Sequence, residues 1–460
     1  MSLYHNPKPL RDMIRRAANR RIDIVGIWNS EGLQSGTGWD TAIQQALGVD
    51  RYGVYATGCH SFCEGDGASG SGGGYWDTTD YSKTVETIAN GTLFTYGNAR
   101  VTTAPSAQRN ALDWSSAPAG SFAPTKPLYI ASGDSNNTPT GLSLGGSTPP
   151  TGPFPAGDAI TWTWWGVNWG GSGGSFQPII RRSDSPYTQL ASLGTIAYTG
   201  TSGTILKSEY AQAADPARTY PSAFRTHSGV NPTSMVGPLF LTYMRACRTN
   251  YNRGIAVTPF YSAGGRSAYD MYEALIGVPD LTWEHLFDAA TTYQGAEITE
   301  HCMVVDIYEG SNQANETSVS AGAPQAGDAT HPDNFVWYIT QIIAQIQGYW
   351  FASGRQVSNL VFRVSVSHPI NDSLIEAKCT AYRNALVAGL DFTDTHSNVT
   401  VLDRSASSSL SEMLAESDFS DTVHLTDNGY IRTERKAWKQ LLATSSRLDR
   451  SARVIRVARP

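Results

Sequence analysis

Two stretches of the chain alternate short apolar runs with segments of helical spacing, and a long stretch between them follows a different rule. The apolar run Ile22–Ile27 has the length and continuity of a buried strand. It stops at Asn29-Ser30-Glu31-Gly32, and an amphipathic helix pattern follows from about Trp39 to Leu47. Ahead of it, Leu10, Met13, Ile14 and Ala17 recur at helical spacing and predict a short helix within 7–20. After residue 245, strand-like runs appear at 254–261, 303–308, 359–366 and 398–403, and helical patterns at 267–277, 334–351, 373–389 and 431–446. Strands with helices between them predict an α/β fold built on a doubly wound parallel sheet of five strands.

The middle of the chain reads otherwise. Residues 51–57 suggest a further strand, and the Gly/Ser-rich segment 65–74 a flexible loop with no room for a core. From about 76 to 245 the runs are short and β-branched or aromatic, as at 92–97, 126–132, 159–169, 177–183 and 194–200. Gly, Pro, Ser and Asn clusters separate them. This predicts a β-rich sandwich inserted after the first strand–helix unit. The expected organisation is therefore 1–58 and 249–446 as two parts of one α/β domain, 59–248 as the insertion, and 447–460 as a basic tail. A length of 460 residues, more than one core usually fills, agrees with two structural units. So does a charged fraction of only 16%, which favours a β-rich component. Trp162, Trp164, Trp165 and Trp169 carry two readings. Alternating tryptophans in a strand are more often core, but exposed ones stack on the apolar faces of sugars, which makes them candidate substrate-binding residues.

Charge narrows the partners. A net charge of −6 argues against nucleic acid, which calls for a basic footprint. The basic residues gather at the ends, in Arg11, Arg15, Arg16, Arg20 and Arg21 and in Arg447, Arg450, Arg453 and Arg456. They read as a solvated helix face and a tail or, more sharply, as a docking surface. No run approaches the ~18–20 apolar residues of a transmembrane helix, so membrane insertion is not expected. The charged start without an apolar core segment predicts no secretory signal. Five cysteines without repeat spacing predict no disulfide framework, and Cys59-His60-Cys63 has no second ligand pair, so no metal is expected.

An open parallel sheet gathers its chemistry at the carboxyl ends of its strands. The first strand ends at Ser30, the second in Ser262–Ser267 with Gly264-Gly265, the third in Glu309-Gly310-Ser311-Asn312. After the fifth comes Asp421-Thr-Val-His424. These parts suit acyl transfer. A serine hydroxyl is a poor nucleophile until a base takes its proton. A histidine is that base at neutral pH, with a carboxylate holding its tautomer. The Gly265 amide, the Asn312 side chain and the Ser30 amide are candidate oxyanion donors, each typically worth ~2.7–4 kcal/mol.

In this order the residues resemble the SGNH (GDSL-type) hydrolase superfamily, over roughly 21–50 and 250–446. Ser30 matches its block I serine, Gly265 its block II glycine, Asn312 its block III asparagine, and Asp421/His424 its DxxH block. The resemblance implies a flavodoxin-like sheet, a Ser30–His424–Asp421 triad, an oxyanion hole from Gly265, Asn312 and Ser30, and no cofactor. Two positions depart from the family pattern: Asn29 stands where block I has Asp, and Gln313 follows Asn312 where block III has Asp. Gly133-Asp134-Ser135-Asn136 spells block I more closely, but no helix pattern follows it, and Ser30 is preferred. The Thr57-Gly58 pair is a rival for block II. Among other histidines, the Asp394/His396 pair precedes the fifth strand and reads as surface. His368 reads as a core or supporting residue, and His331 and His301 as helix-start and loop residues.

The implied activity is a serine esterase, with O-deacetylation of an acylated carbohydrate favoured by the aromatic insertion and the lack of a hydrophobic lid pattern. The alternatives are a non-catalytic structural or glycan-adhesion protein on the same scaffold, and a lipase or thioesterase. A low-charge, β-rich composition without a secretory signal suits a phage virion protein of the tail or capsid surface, extracellular after lysis, whose basic termini touch other virion proteins. A cytoplasmic setting is the other reading, and self-association into a homo-oligomer stays open.

Overall fold

The computed structural model describes residues 3–29, 42–43, 46–47, 267–276 and 302–457, together with the strand segments between 59 and 262 named below. The main sheet contains β1 (Tyr4–His5), β2 (Arg21–Trp28), β3 (Gly254–Ser262), β4 (Cys302–Glu309), β5 (Leu360–Val366) and β6 (Val399–Leu402). The order across it is β1-β6-β5-β4-β2-β3. β2 to β6 pair in parallel, and β1 closes the β6 edge antiparallel. The parallel strands thus take the flavodoxin-like winding, whose direction reverses between β2 and β4, where such sheets open a ligand crevice. All the expected parallel strands are present, shifted by no more than about a residue at either end. β1 is an addition, too short to carry a periodicity.

The helices are α1 (Lys8–Arg15), α2 (Ala268–Ile276), α3 (Pro332–Ala352), α4 (Ser373–Gly389), α5 (Leu410–Ala415) and α6 (Asp427–Val457). Strand residues alternate between two cores, as a pleated backbone requires. Val25, Ile27, Val305, Ile307, Phe362 and Val364 pack with α2, α3 and α4 on one face. Ile22, Ile24, Trp28, Val304 and Val361 pack with α1, α6 and the helical residues Ala42, Ile43 and Leu47 on the other. β2 is buried along its whole length, which is why its sequence reads as an apolar run rather than an alternation. α4 occupies the expected span, started by Asp372, whose carboxylate accepts from the Leu374 and Ile375 amides. α6 runs beyond residue 446 to Val457, so the last helix takes in most of the expected tail.

The α6 face of the sheet holds a buried ionic network. Asp306 on β4 and Arg363 on β5 are register partners. They form a two-pronged ion pair, Nε to Oδ1 and Nη2 to Oδ2, both 2.6 Å. Arg363 Nη1 reaches Glu434 Oε2 of α6 at 2.8 Å, and Arg404 Nη2 reaches Glu434 Oε1 at 2.6 Å. The Trp28 indole donates to Asp306 Oδ2 at 3.0 Å. It lies back over Gly26, where any Cβ would sit 2.2 Å from the ring, so this strand position admits only glycine. Arg363 also stacks on Trp438, 4.5 Å from the ring centre. Two of the N-terminal arginines are likewise committed inside the fold. Arg21 is buried against Asp23 at 2.7 Å, and Arg16 donates to Asn359 Oδ1 at 2.8 Å.

Between β2 and β3 the described strands pair antiparallel. Ile160–Val167 lies between Ile205–Gln212 and Leu239–Arg248, and Cys59–Cys63 and Leu128–Ile130 also pair with Leu239–Arg248. Ile179–Arg181 pairs with Gln189–Ser192 and Arg225–His227, and Gly174–Phe176 with Ile196–Tyr198. The strands within 126–132, 159–169, 177–183 and 194–200 are expected from sequence. Those at 205–212 and 239–248 are not, because Lys, Glu and Arg interrupt their apolar pattern. The expected strand at 51–57 and loop at 65–74 lie outside the described residues.

Burial alone would raise the Glu434 carboxyl, but the Arg363 and Arg404 guanidiniums outweigh it and hold it below the usual carboxylate range. A group depressed on folding adds stability above its unfolded pKa, and that stability is lost as pH falls through the folded value. Glu434→Ala is therefore expected to destabilise the chain by ~3–5 kcal/mol in denaturant unfolding at neutral pH, since two buried guanidiniums lose their carboxylate. The difference from wild type should shrink on acidification below the carboxylate range.

Candidate active site

The loop after β6 and α5 carries Asp421 and His424, and the structure brings the two together. His424 Nδ1 lies 2.7 Å from Asp421 Oδ2. Asp421 Oδ1 accepts from the Val423 and His424 amides, both at 2.7 Å. The loop closes on itself through a Phe419–Leu425 bridge and through Ser420 N–H to His424 O at 2.9 Å. Asp421 is thus at once the cap of a tight turn and the ring partner of His424, which is why a spacing of three suffices. Partial burial would raise the Asp421 carboxyl. The backbone and ring hydrogen bonds from His424, with that from Val423, outweigh it and hold the carboxyl below its ordinary value. Asp421 is therefore anionic across the neutral range, and a carboxylate there fixes the proton on His424 Nδ1.

The loop hangs from β5 by polar contacts. His368, fully buried just past β5, has Nε2 at 2.8 Å from Val423 O and Nδ1 at 2.8 Å from the Tyr308 hydroxyl. A carbonyl only accepts, so Nε2 carries the proton and Nδ1 accepts from Tyr308 in the neutral ring. The His368 backbone N–H donates to the same hydroxyl at 3.2 Å, and the Asn371 amide donates to Thr422 O at 3.0 Å. His368 is thus the support of the loop that bears His424.

Asn312 sits at the carboxyl end of β4, capping the 3-10 turn Gln313–Asn315 and half-buried. Gly310 begins that turn. A Cβ on it would meet Val366 Cγ1 at 2.6 Å, so the close approach of β4 to β5 requires glycine. The Ser311 amide donates to Ser367 Oγ at 3.0 Å. At the end of β2, Asn29 is fully buried, its amide nitrogen 2.6 Å from Glu309 Oε2 and 3.2 Å from Ser311 Oγ. Ser30, which follows it, and Gly265 lie outside the described residues, as do the rivals Ser135 and Thr57-Gly58. Just past Gly265, Ser267 starts α2 with a capping box: its amide donates to Asp270 Oδ2 at 3.0 Å and its Oγ accepts from the Asp270 amide at 3.2 Å. Ser267 Oγ also donates to Glu316, which ties α2 to the loop after β4.

Trp162, Trp164 and Trp165 lie on the Ile160–Val167 strand, with Trp162 opposite Tyr210 and Ala246; Trp169 is outside the described residues. His396 sits in the turn before β6, at the opposite end of the sheet, with Nδ1 accepting from the Asp391 amide at 3.2 Å. His331 caps α3. Among the described residues no group of three His, Cys, Asp or Glu side chains converges on a metal-sized site.

Sequence reasoning read His368 as a core or supporting residue, which its bonds to Val423 and Tyr308 bear out, but it missed Glu309 and Tyr308. The available signal was Glu309 itself, an acid closing a strand buried along its whole length. Tyr308→Phe keeps the ring under Arg404 but leaves His368 Nδ1 and N–H without their hydroxyl. It is expected to cost ~1–3 kcal/mol in denaturant unfolding and to speed hydrogen exchange at the Val423 and His424 amides.

No family model matches the sequence, and no curated protein matches it. Among solved structures, a peptidoglycan O-acetylesterase superposes with a TM-score of 0.51 at 12% identity, over 98% of this chain and 100% of that one. A member of the lipolytic G-D-S-L family from Veillonella parvula is 14% identical, covering 40% of this chain and 79% of its own, with a TM-score of 0.26. A carbohydrate acetylesterase from Sinorhizobium meliloti is 12% identical, covering 41% and 79%, also at 0.26. Strand order, the loops on the carboxyl rim and the likeness along the whole chain agree that this protein has the fold of the SGNH (GDSL-type) hydrolases.

Proposed function

We propose that the protein is a serine esterase of SGNH type that removes O-acyl groups, acetyl above all, from a carbohydrate. The observation that carries this reading is the 2.7 Å contact between His424 Nδ1 and Asp421 on the loop after the last parallel strand. With Nδ1–H given to Asp421, proton transfer runs through Nε2. Ser30 Oγ attacks the ester carbonyl as its proton passes to His424 Nε2. The tetrahedral oxyanion is held by the Gly265 amide, the Asn312 side chain and the Ser30 amide. Its collapse returns the proton to the leaving sugar hydroxyl and leaves an acyl-Ser30. Water, deprotonated by His424, then releases the carboxylic acid and restores the serine.

The carbohydrate part rests on the aromatic insertion, read as a β-sandwich with Trp162, Trp164, Trp165 and Trp169 as sugar-stacking residues. The likeness to an O-acetylesterase of peptidoglycan supports the choice of acetyl. A virion-surface setting, where acylated glycans are met, goes with this reading. No described helix is long and apolar enough to cross a membrane. The rival reading, a non-catalytic scaffold, draws on Asn29 in place of Asp; the bond from Asn29 to Glu309 weighs against it, because it gives the amide its own partner in this chain.

Purified protein is expected to hydrolyse p-nitrophenyl acetate and to release acetate from O-acetylated xylan or peptidoglycan. Ser30→Ala and His424→Ala should each lower kcat by ~10⁴-fold or more, and Asp421→Asn by ~10³–10⁴-fold. Equal rates for wild type and Ser30→Ala would end the esterase reading. Faster turnover of long acyl chains than of acetyl would replace it with a lipase or thioesterase.

A further inference from the structure

The two departures from the family pattern, Asn29 and Gln313, meet at one buried carboxylate. Glu309 closes β4 and is fully buried. Its Oε2 accepts from Asn29 Nδ2 at 2.6 Å, and its Oε1 accepts from the Gln313 amide at 2.7 Å. Gln313 is also fully buried, and its side chain extends the chain of contacts. Its Nε2 donates to Ala329 O at 2.7 Å, and its Oε1 accepts from the Tyr269 amide of α2 at 3.1 Å. The ends of β2 and β4 and the start of α2 are therefore linked through Glu309 and Gln313.

From this we infer that Glu309 is the positioning residue of the reaction. Its carboxylate ties the end of β2, which leads into Ser30, to the turn bearing Asn312, and it calls for an amide rather than an acid at position 29. The inference rests on the esterase reading for its catalytic consequence, and on geometry alone for the pairing. A buried carboxylate needs donors, and Asn29 supplies one. Aspartate at 29 would instead bring two acceptors of like charge to hydrogen-bond distance. In this chain the acid stands at the end of β4 and the amide that donates to it at the end of β2, an arrangement that can be tested by exchanging the two.

The exchange predicts its own rescue. Asn29→Asp alone should lower kcat on p-nitrophenyl acetate by ~10²-fold with little change in KM, as a displaced nucleophile turn does. Asn29→Asp combined with Glu309→Gln should recover most of that loss. In the double variant the new side-chain amide on β4 would still accept from the Gln313 N–H through its oxygen. Its nitrogen would donate to the new carboxylate at the end of β2. The unfolding midpoints of the two single variants and the double variant should show the same coupling, a readout that does not depend on turnover. Recovery of both kcat and midpoint supports the proposal. A double variant no better than Asn29→Asp in either measurement overturns it, as does an Asn29→Asp variant as active as wild type. If wild type itself hydrolyses no ester, the esterase reading and with it the catalytic part of this proposal fail, and the midpoints alone decide the pairing.

Discussion

A guanidinium sealed in the core is the constraint from which the rest of this architecture follows. Arg363 points from β5 into the layer between sheet and α6, where an isolated charge would be prohibitive. Asp306 answers it from the neighbouring strand and Glu434 from α6, and Arg404 balances the second carboxylate. Two cations and two anions are left neutral as a set. Such a network adds little net stability over an apolar core, because desolvation offsets most of the attraction. Its worth is geometric. An apolar helix can slide or rotate on a sheet at small cost, whereas Glu434 meets Arg363 in one position only. α6 is set in register, and its first residue, Asp427, comes just after His424. The pairing deep in the core therefore fixes one end of the loop that carries the Asp421/His424 pair.

The other side of the rim is organised by hydrogen bonds of a different sort. At the crevice where the winding reverses, β2, β4 and β5 end close together, and each end is tied to the next. Asn29 reaches Glu309 and Ser311, and Ser311 reaches Ser367. His368 then passes the connection to Val423. The His368 ring is held in one orientation by the Tyr308 hydroxyl and the Val423 carbonyl, much as Asp421 holds His424. The rim is thus a continuous polar seam above an apolar sheet, with Gly310 permitting β4 and β5 to approach.

Much of the scaffold was legible in the sequence because parallel strands buried on both faces are mostly apolar along their length. Ile22–Ile27, 303–308 and 359–366 announce themselves, and α4 begins at its Asp372 cap. Asp421 and His424 were legible for a physical reason too: three residues is the span over which a turn-capping carboxylate can also reach a ring nitrogen. What escaped was of two kinds. β1 is two residues long, and α5 one and a half turns, so neither builds a pattern. Asp306, Arg363 and Glu309 were visible as charges in or beside apolar runs, but their partners lie on other elements, and which elements is a property of the winding. Asn29 was legible only as a departure; without Glu309 across the crevice, its amide had no evident reason.

The position of β2 has a consequence for how the chain reaches this state. β2 pairs with β3 on one side and β4 on the other, and both neighbours come from beyond residue 253. The strand that leads into Asn29 is therefore synthesised long before either neighbour can satisfy its backbone edges, although α1 can already cover one of its faces. An emerging apolar strand with both edges open is a hazard for wrong pairing. The described antiparallel strands between 59 and 248 pair with one another, so they can form while β2 waits. Their closure shortens the effective loop between β2 and β3, which makes the pairing less costly in chain entropy. The antiparallel pairing between 59 and 248 thus bears on how β2 meets β3, since strands that close early shorten the chain left to bring the two together.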